Sequence, residues 1–69
     1  MKDNTFGKNI RAAREGAELS QAEVGIRIGM STRLISYLEA GKIEPSLDNL
    51  VKISKLFEAS TDDLLGVND

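Results

Sequence analysis

Two short helices joined by a glycine-centred turn are predicted in the middle of this chain. Ser20, followed three residues later by Glu23, has the spacing of a capping box, which marks a helix start. Ser31 marks a second start in the same way. Gly29 and Gly41 stand where the two helices should end, since glycine adopts the left-handed backbone conformation of a helix end without a steric clash. The chain must therefore fold around two helices held close together by a short turn.

Three further helices are predicted around this pair, and every connection is short. The first covers about residues 5–16, and Pro45 closes the turn after the central pair because proline cannot continue a helix. Ser46 starts a fourth helix, and Ser60, with an acidic residue three positions later, starts a fifth. The predicted fold is all-α, a compact five-helix bundle with a helix-turn-helix at about residues 20–41.

The fourth helix is predicted to be largely enclosed by its neighbours. Its apolar side chains recur at helical spacing, and further apolar residues flank them. The residues concerned are Leu47, Leu50, Val51, Ile53, Leu56 and Phe57.

Length and composition indicate one ordinary globular domain that covers residues 1–69. With 69 residues, 41% hydrophobic and 29% charged, the chain is typical of neither a disordered segment nor a coiled coil. It contains no cysteine, which excludes disulfides and thiolate metal sites, and no apolar run approaches the roughly 18 residues of a membrane span. We expect a soluble cytoplasmic protein that needs no cofactor, metal or membrane.

The second helix of the central pair separates its side chains into two arcs. At roughly 100° per residue, a small or hydrogen-bonding set lies within an arc of about 140°, and a mainly aliphatic set fills the opposite side. The first set is Thr32, Arg33, Ser36, Tyr37 and Ala40, and the second is Leu34, Ile35, Leu38 and Glu39. The pattern predicts a polar face that contacts something outside the domain, although an ordinary amphipathic surface helix would have the same pattern.

Glu39 is the one charged member of the aliphatic arc, and a carboxylate turned toward a core is costly to bury without a cationic partner. Arg14 lies on the flank of the apolar stripe of the first helix, at about 80° from Phe6, so its guanidinium can reach inward. We therefore predict an ion pair between Arg14 and Glu39 that fixes the angle of the polar helix. The alternative is that both are solvated surface charges.

Positive charge is concentrated in the first part of the chain. Residues 1–42 contain seven basic and five acidic residues, whereas residues 43–69 contain two basic and six acidic ones. Because DNA affinity depends on the neutralisation of phosphates by Lys and Arg, the net charge of −2 argues against a nucleic-acid partner, but the uneven distribution weakens this objection. The predicted helix-turn-helix points to duplex DNA, so we expect a nucleoid-associated protein. With this charge, binding by a monomer should be modest and strongly salt-dependent, with useful affinity only from a dimer.

These residues resemble the Cro and phage-repressor type of helix-turn-helix protein, also called the xenobiotic response element family, over nearly the whole chain. The family pattern appears here as Ile10-Arg11 with Arg14, Leu19-Ser20-Gln21, Glu23-Val24, Ile28-Gly29-Met30-Ser31, Ile35-Ser36, Leu38-Glu39, Gly41-Lys42, Pro45-Ser46-Leu47, Leu50, Lys52-Ile53 and Ser60-Thr61-Asp62-Asp63-Leu64-Leu65. One departure is Glu58, which stands where relatives often carry glycine. Either Glu58 adopts a strained left-handed conformation, or the fourth helix ends differently.

The resemblance implies that the polar helix reads base edges in the major groove of double-stranded DNA. Thr32, Arg33, Ser36 and Tyr37 occupy the positions that face the bases in relatives. Arg33 is expected to make a specific contact because its planar fork can pair with both acceptors of a guanine edge. Tyr37 is compatible with a base contact, a phosphate contact or packing against a neighbouring loop.

Five further positions are expected to hold DNA phosphates. Gln21, in the first turn of its helix, corresponds to a residue that binds a phosphate and steadies the reading helix in relatives. Further donors are expected at Ser20 and Ser31, and at the backbone amides near Gly41 and Lys42. For both serines, helix capping alone is the alternative interpretation.

Two functions remain open at this point. The first is a sequence-specific transcriptional regulator, such as a repressor, that binds an inverted-repeat operator as a homodimer. The second is an antitoxin or partner-binding module, in which association with a protein such as a toxin or anti-repressor is the main task; the acidic carboxyl-terminal half supports it. An enzyme is not supported, because the sequence has no histidine, no cysteine and no glycine-rich phosphate loop.

Dimerisation would need an exposed apolar surface, and the end of the chain is the candidate. Leu64, Leu65 and Val67 exceed what one short helix needs to anchor itself, so they are predicted to form the dimer interface. The alternative is that all three complete the core of the monomer.

Overall fold

Serine side chains start four of the five helices found in residues 4–67, the part of the chain that the computed structural model describes. In each case the hydroxyl oxygen accepts a hydrogen bond from the backbone amide three residues later, which satisfies one of the free amides of a helix start. The helices are α1 (Thr5–Gly16), α2 (Gln21–Ile28), α3 (Thr32–Ala40), α4 (Leu47–Phe57) and α5 (Thr61–Leu65). The predicted all-α fold with five helices is therefore confirmed.

The core is built from side chains that all five helices contribute. α1 packs against α3, α4 and α5, and α2 packs against α3 and α4. The buried apolar side chains are Phe6, Ile10, Val24, Met30, Ile35, Leu38, Ile53 and Leu64. Because no pair of helices forms a core alone, each helix depends on the packing of the others, as is usual in so small a domain.

Two glycines allow neighbouring parts of the bundle to approach each other closely. A side-chain carbon added at Gly25 would collide with the backbone carbonyl of Met30, and one added at Gly7 would lie 2.5 Å from the carbonyl oxygen of Leu38. Both of these obstacles are backbone atoms, which cannot move aside as a flexible side chain can. Gly25 therefore fixes the tight crossing of α2 and the turn before α3, and Gly7 allows α1 to lie against the last turn of α3.

The expectation that α4 is largely enclosed was wrong. Ile53 is its only fully buried side chain, while Leu47 is 77% exposed and Val51 is also exposed. The reason is that α1, α2 and α5 cover one side of α4, and among the described residues no element covers the start of this helix on its other side. The apolar pattern indicated correctly that α4 is a helix, but it could not show how many neighbours it has.

The structure also corrects the prediction for the end of the chain. Leu64 is only 3% exposed and belongs to the monomer core, so it is not available for a dimer interface. Leu65 is half-buried, and Val67 is 61% exposed. Of the three predicted interface residues, Leu65 and Val67 remain candidates for contact with a second copy.

Glu58 ends α4 in the left-handed conformation, with φ 52°. This conformation costs a residue with a side chain about 1 kcal/mol, which glycine avoids. Glu58→Gly should therefore raise the free energy of unfolding by about 0.5 to 1 kcal/mol, after allowance for the greater flexibility of glycine in the unfolded chain. Urea denaturation followed by circular dichroism measures this change.

Lys55→Gly is the matched control, because it places glycine at an exposed position inside the same helix. It should lower the free energy of unfolding by about 1 kcal/mol. If Glu58→Gly destabilised the protein as much as this control does, the strain assigned to Glu58 would be absent.

Candidate nucleic-acid interface

α3 presents a polar face to solvent and an apolar face to the core. Thr32, Arg33 and Tyr37 are exposed, and Ser36 is half-buried. The opposite side carries the buried core residues Ile35 and Leu38, together with the half-buried Leu34. The four side chains predicted to contact bases therefore lie on one side of one short helix, with donor or acceptor groups available to a ligand.

A polar groove of about 250 Å³ runs beside this face of α3. Its walls come from α1, α2 and α3, so three helices converge on it. The lining residues are Arg11, Arg14, Gln21, Ser36, Glu39 and Ala40. Arg11 is exposed here and was not predicted to take part in the site; its nearness to Ser36 could not be read from either helix alone.

Glu39 lies at the centre of a hydrogen-bond network that holds α3 in place. Its carboxylate accepts hydrogen bonds from Arg14 Nε at 2.7 Å and Arg14 Nη2 at 3.1 Å. Gln21 Nε2 donates a third at 3.2 Å. The side chains of Arg14 and Glu39 are only 13% and 5% exposed, so the predicted ion pair is present, bidentate and largely removed from solvent.

Arg14 extends the network to a fourth segment of the chain. Its Nη1 donates to the backbone carbonyl of Leu19 at 2.9 Å, in the connection between α1 and α2. The hydrogen bonds to Glu39 raise the pKa of Arg14 above its ordinary value, against the opposing effect of burial. Arg14 therefore stays charged while it links α1 to α3 and to the connection before α2.

Asn4 is a further positioning residue that the sequence did not indicate. Its side-chain amide donates to the backbone carbonyl of Glu39 at 3.2 Å, and it adopts a left-handed conformation with φ 52°. The bond joins residues 35 positions apart. It satisfies one of the carbonyls that the end of α3 leaves without a partner inside the helix.

The two capping serines keep a donor after they cap. Ser20 Oγ accepts from the amide of Glu23, and Ser31 Oγ accepts from the amide of Leu34, both at 3.0 Å. A hydroxyl that accepts in this way can still donate its own proton. At the start of α2 the capping box is complete, because Glu23 accepts from the amide of Ser20, and this bond lowers the pKa of Glu23.

The end of α3 corrects the prediction that its backbone amides hold phosphates. The amide of Gly41 donates to the carbonyl of Leu38 at 3.2 Å, and that of Lys42 donates to the carbonyl of Tyr37 at 3.0 Å. Both amides are used to close the helix, as in a Schellman motif. Gly41 has no other donor, and Lys42 can reach a phosphate only with its ammonium group, which lies 5.4 Å from the centre of the Tyr37 ring.

Within residues 4–67 the structure brings together no group of three or more acidic, histidine or cysteine side chains that could hold a metal ion. No helix in that range is long and apolar enough to cross a membrane.

The buried ion pair makes a testable difference to stability. Glu39→Gln removes the negative charge but keeps one acceptor, so Arg14 is left buried without its counter-charge. We expect the free energy of unfolding to fall by about 2 kcal/mol or more, as measured by urea denaturation.

Glu15→Gln is the matched control, because Glu15 pairs with Arg11 at 3.4 Å on the open surface of α1. Such exposed pairs contribute about 0.5 kcal/mol or less. Equal losses from the two variants would show that burial adds nothing to the Arg14 and Glu39 pair.

Known proteins share both the sequence pattern and the fold. The family model described as "Helix-turn-helix" matches residues 10–64. Repressor protein C2 of Salmonella phage P22 is 37% identical over 65 residues, which cover 94% of this chain and 30% of that protein. The HTH-type transcriptional regulator ImmR of Bacillus subtilis is 32% identical over 65 residues, which cover 94% of this chain and 51% of that protein. The chain thus spans only about a third to a half of these two relatives.

Two crystal structures have the same arrangement of helices. The P22 c2 repressor in complex with a synthetic operator superimposes with a TM-score of 0.82 at 37% identity, over 86% of this chain and 89% of that chain. The restriction-modification controller protein C.AhdI of Aeromonas hydrophila gives a TM-score of 0.83 at 25% identity, over 93% of this chain and 98% of that chain. All of these relatives are named as repressors, regulators or controller proteins rather than enzymes. The chain belongs to the helix-turn-helix family.

Proposed function

We propose that this chain is the DNA-binding part of a sequence-specific transcriptional regulator and that α3 reads the major groove. The observation that carries this proposal is the exposed polar face of α3, which the buried pair of Arg14 and Glu39 holds outward. The likeness to the P22 c2 repressor, which has been crystallised with operator DNA, supports the same conclusion.

Arg33 is the residue most suited to read a base. It is exposed in the first turn of α3, and its guanidinium can donate to both O6 and N7 of a guanine. Thr32 and Ser36 offer hydroxyls on the same face. Tyr37 lies further along the helix under the Lys42 ammonium, so the two side chains reach the DNA together rather than independently.

Phosphates would be held at the edges of this face. Ser20 and Ser31 retain hydroxyl protons at two helix starts, where phosphate binding is favoured. Gln21 uses one amide proton on Glu39 and keeps a second for a phosphate. The Lys42 ammonium supplies charge at the other end of α3. With Arg11 added, these contacts come from the basic part of the chain and leave the acidic carboxyl-terminal part away from the DNA.

A second copy would double the reading surface on an inverted-repeat operator. Two half-sites about 34 Å apart, one helical turn, would each take one α3. Val67 and Leu65 are the apolar candidates for the contact between copies, since Val67 is largely exposed at the end of the described chain. Association of two weakly binding units raises the overall affinity far above that of either unit alone.

The function is tested by the binding of labelled operator candidates, selected from random duplex DNA, at several salt concentrations. The logarithm of the affinity should fall steeply with the logarithm of salt concentration, because binding releases counterions from phosphates. Arg33→Ala should cost about 1 to 3 kcal/mol and relax preference at one position in each half-site, whereas Lys42→Ala should weaken all sequences about equally.

Two results would contradict these assignments. Equal effects of the Arg33 and Lys42 variants on selected and random DNA would remove the distinction between base and phosphate contacts. No binding to duplex DNA even at low salt would instead favour a module whose main task is protein association.

The homodimer is tested by sedimentation with and without DNA. Val67→Ser should shift the protein toward monomer at micromolar concentration, because it removes an exposed apolar side chain from the proposed contact. Ile26→Ser is the matched control, since Ile26 is 83% exposed on α2 and lies outside that contact. A strict monomer in both conditions, or equal effects of the two variants, would disprove this interface.

A further inference from the structure

A second groove, of about 420 Å³, lies between α2 and α4. Its lining combines two apolar and three cationic side chains: Arg27, Ile28, Lys52, Lys55 and Leu56. None of them belongs to α3. None lines the polar groove beside the polar face of α3, which is the proposed reading face. The proposed DNA contacts therefore leave this groove without a function.

The charge of this groove differs from that of its surroundings. Residues 43–69 contain two basic and six acidic residues, and both of the basic ones, Lys52 and Lys55, line the groove. Arg27 adds a third cation from the end of α2. A positive surface concentrated within an otherwise acidic half attracts an anionic partner and excludes basic ones.

Nearby carboxylates neutralise this charge only in part. Lys52 Nζ lies 3.3 Å from Asp48 on the exposed surface of α4. Glu23, one turn before Arg27, accepts a hydrogen bond from the backbone of Ser20 at the start of α2 and also attracts the Arg27 cation. No acidic side chain is among the residues that line the groove.

The two apolar side chains of the lining, Ile28 and Leu56, form what we call the floor of the groove. This floor indicates the class of the partner. Ile28 and Leu56 are half-buried and pack against the core, and the part that they leave exposed lines the groove together with the three cations. A nucleic-acid backbone has no group that would gain from contact with this floor. A helix or strand with a leucine between acidic residues can bury the leucine on the floor. Its carboxylates can then pair with the three cations, which form the rim, as in other groove-binding peptides.

We propose that the groove between α2 and α4 binds an acidic, amphipathic segment of a partner protein. An apolar side chain of that segment rests on Ile28 and Leu56, and its carboxylates pair with Arg27, Lys52 and Lys55. Because α3 contributes nothing to the groove, such a partner can bind while the reading face is occupied.

The test uses the whole chain, labelled with nitrogen-15, and a short synthetic peptide in which leucines alternate with pairs of glutamates. Addition of this peptide should shift the amide resonances of Ile28, Lys55 and their neighbours and leave those of Arg33 and Tyr37 unchanged. A peptide with serines in place of the leucines should bind at least about tenfold more weakly, because it lacks the apolar side chain that would be buried in the groove.

Substitutions on the rim separate this groove from general electrostatic attraction. Lys55→Gln should weaken peptide binding about threefold, and the double variant with Lys52→Gln about tenfold. Lys8→Gln, an exposed lysine of α1, should leave it unchanged. Circular dichroism confirms that each variant is folded.

The proposal would be overturned by shifts confined to α3, by equal binding of the leucine and serine peptides, or by equal effects of the Lys55 and Lys8 variants. Duplex DNA is titrated in parallel. If Lys55→Gln weakened DNA binding instead of peptide binding, the groove would be part of a nucleic-acid surface and the protein-partner assignment would be wrong. DNA binding is measured separately from peptide binding. A loss of DNA binding alone would therefore contradict the proposed function of α3 but would not contradict the proposed peptide-binding groove.

Discussion

The orientation of α3 depends on the ion pair between Arg14 and Glu39. Apolar contacts such as those of Ile35 and Leu38 are strong but non-directional, so they turn the apolar side of α3 toward the core but set its rotation about its own axis only coarsely. A carboxylate that is 5% exposed imposes a stricter condition, because it is costly to bury unless every hydrogen bond is made. Only one rotation of α3 lets Glu39 meet Arg14 and Gln21 together, and that rotation places Thr32 and Arg33 outside.

This division of roles explains which parts of the site could be predicted from sequence. The serine caps were predictable because each involves residues three positions apart. The long-range pair was predictable for a different reason: a charged residue on an aliphatic arc requires a partner, and Arg14 lay on the flank of the apolar stripe of α1. The Asn4 contact with the carbonyl of Glu39 could not be predicted, since a short amide leaves no periodic signal.

Predictions from the sequence were wrong where the residue pattern describes a single helix but the burial or hydrogen bonding of a residue depends on neighbouring parts of the chain. The apolar residues of α4 indicated a helix correctly, yet Leu47 is exposed because a bundle of five short helices does not surround it. The amides of Gly41 and Lys42 were likewise predicted without regard to their partners at the end of α3. Glycine at a helix end predicts a left-handed turn, and that turn itself uses the next amides to satisfy the last carbonyls. Because these amides close the helix, Lys42 can bind a phosphate only through its side chain.

α2 borders both the reading face of α3 and the groove between α2 and α4. How rigidly α2 is held determines whether binding at one surface affects the other. Its first turn carries Gln21 beside the reading face, and its last turn carries Arg27 and Ile28 in the second groove. Coupling between two sites requires an element with two arrangements that both ligands bias. α2 begins at a complete capping box, ends at Gly29 and crosses the turn before α3 without room for a side chain. So firmly held a helix favours one arrangement, and a partner in the groove would therefore be recruited to the DNA-bound protein without altering how α3 reads its site.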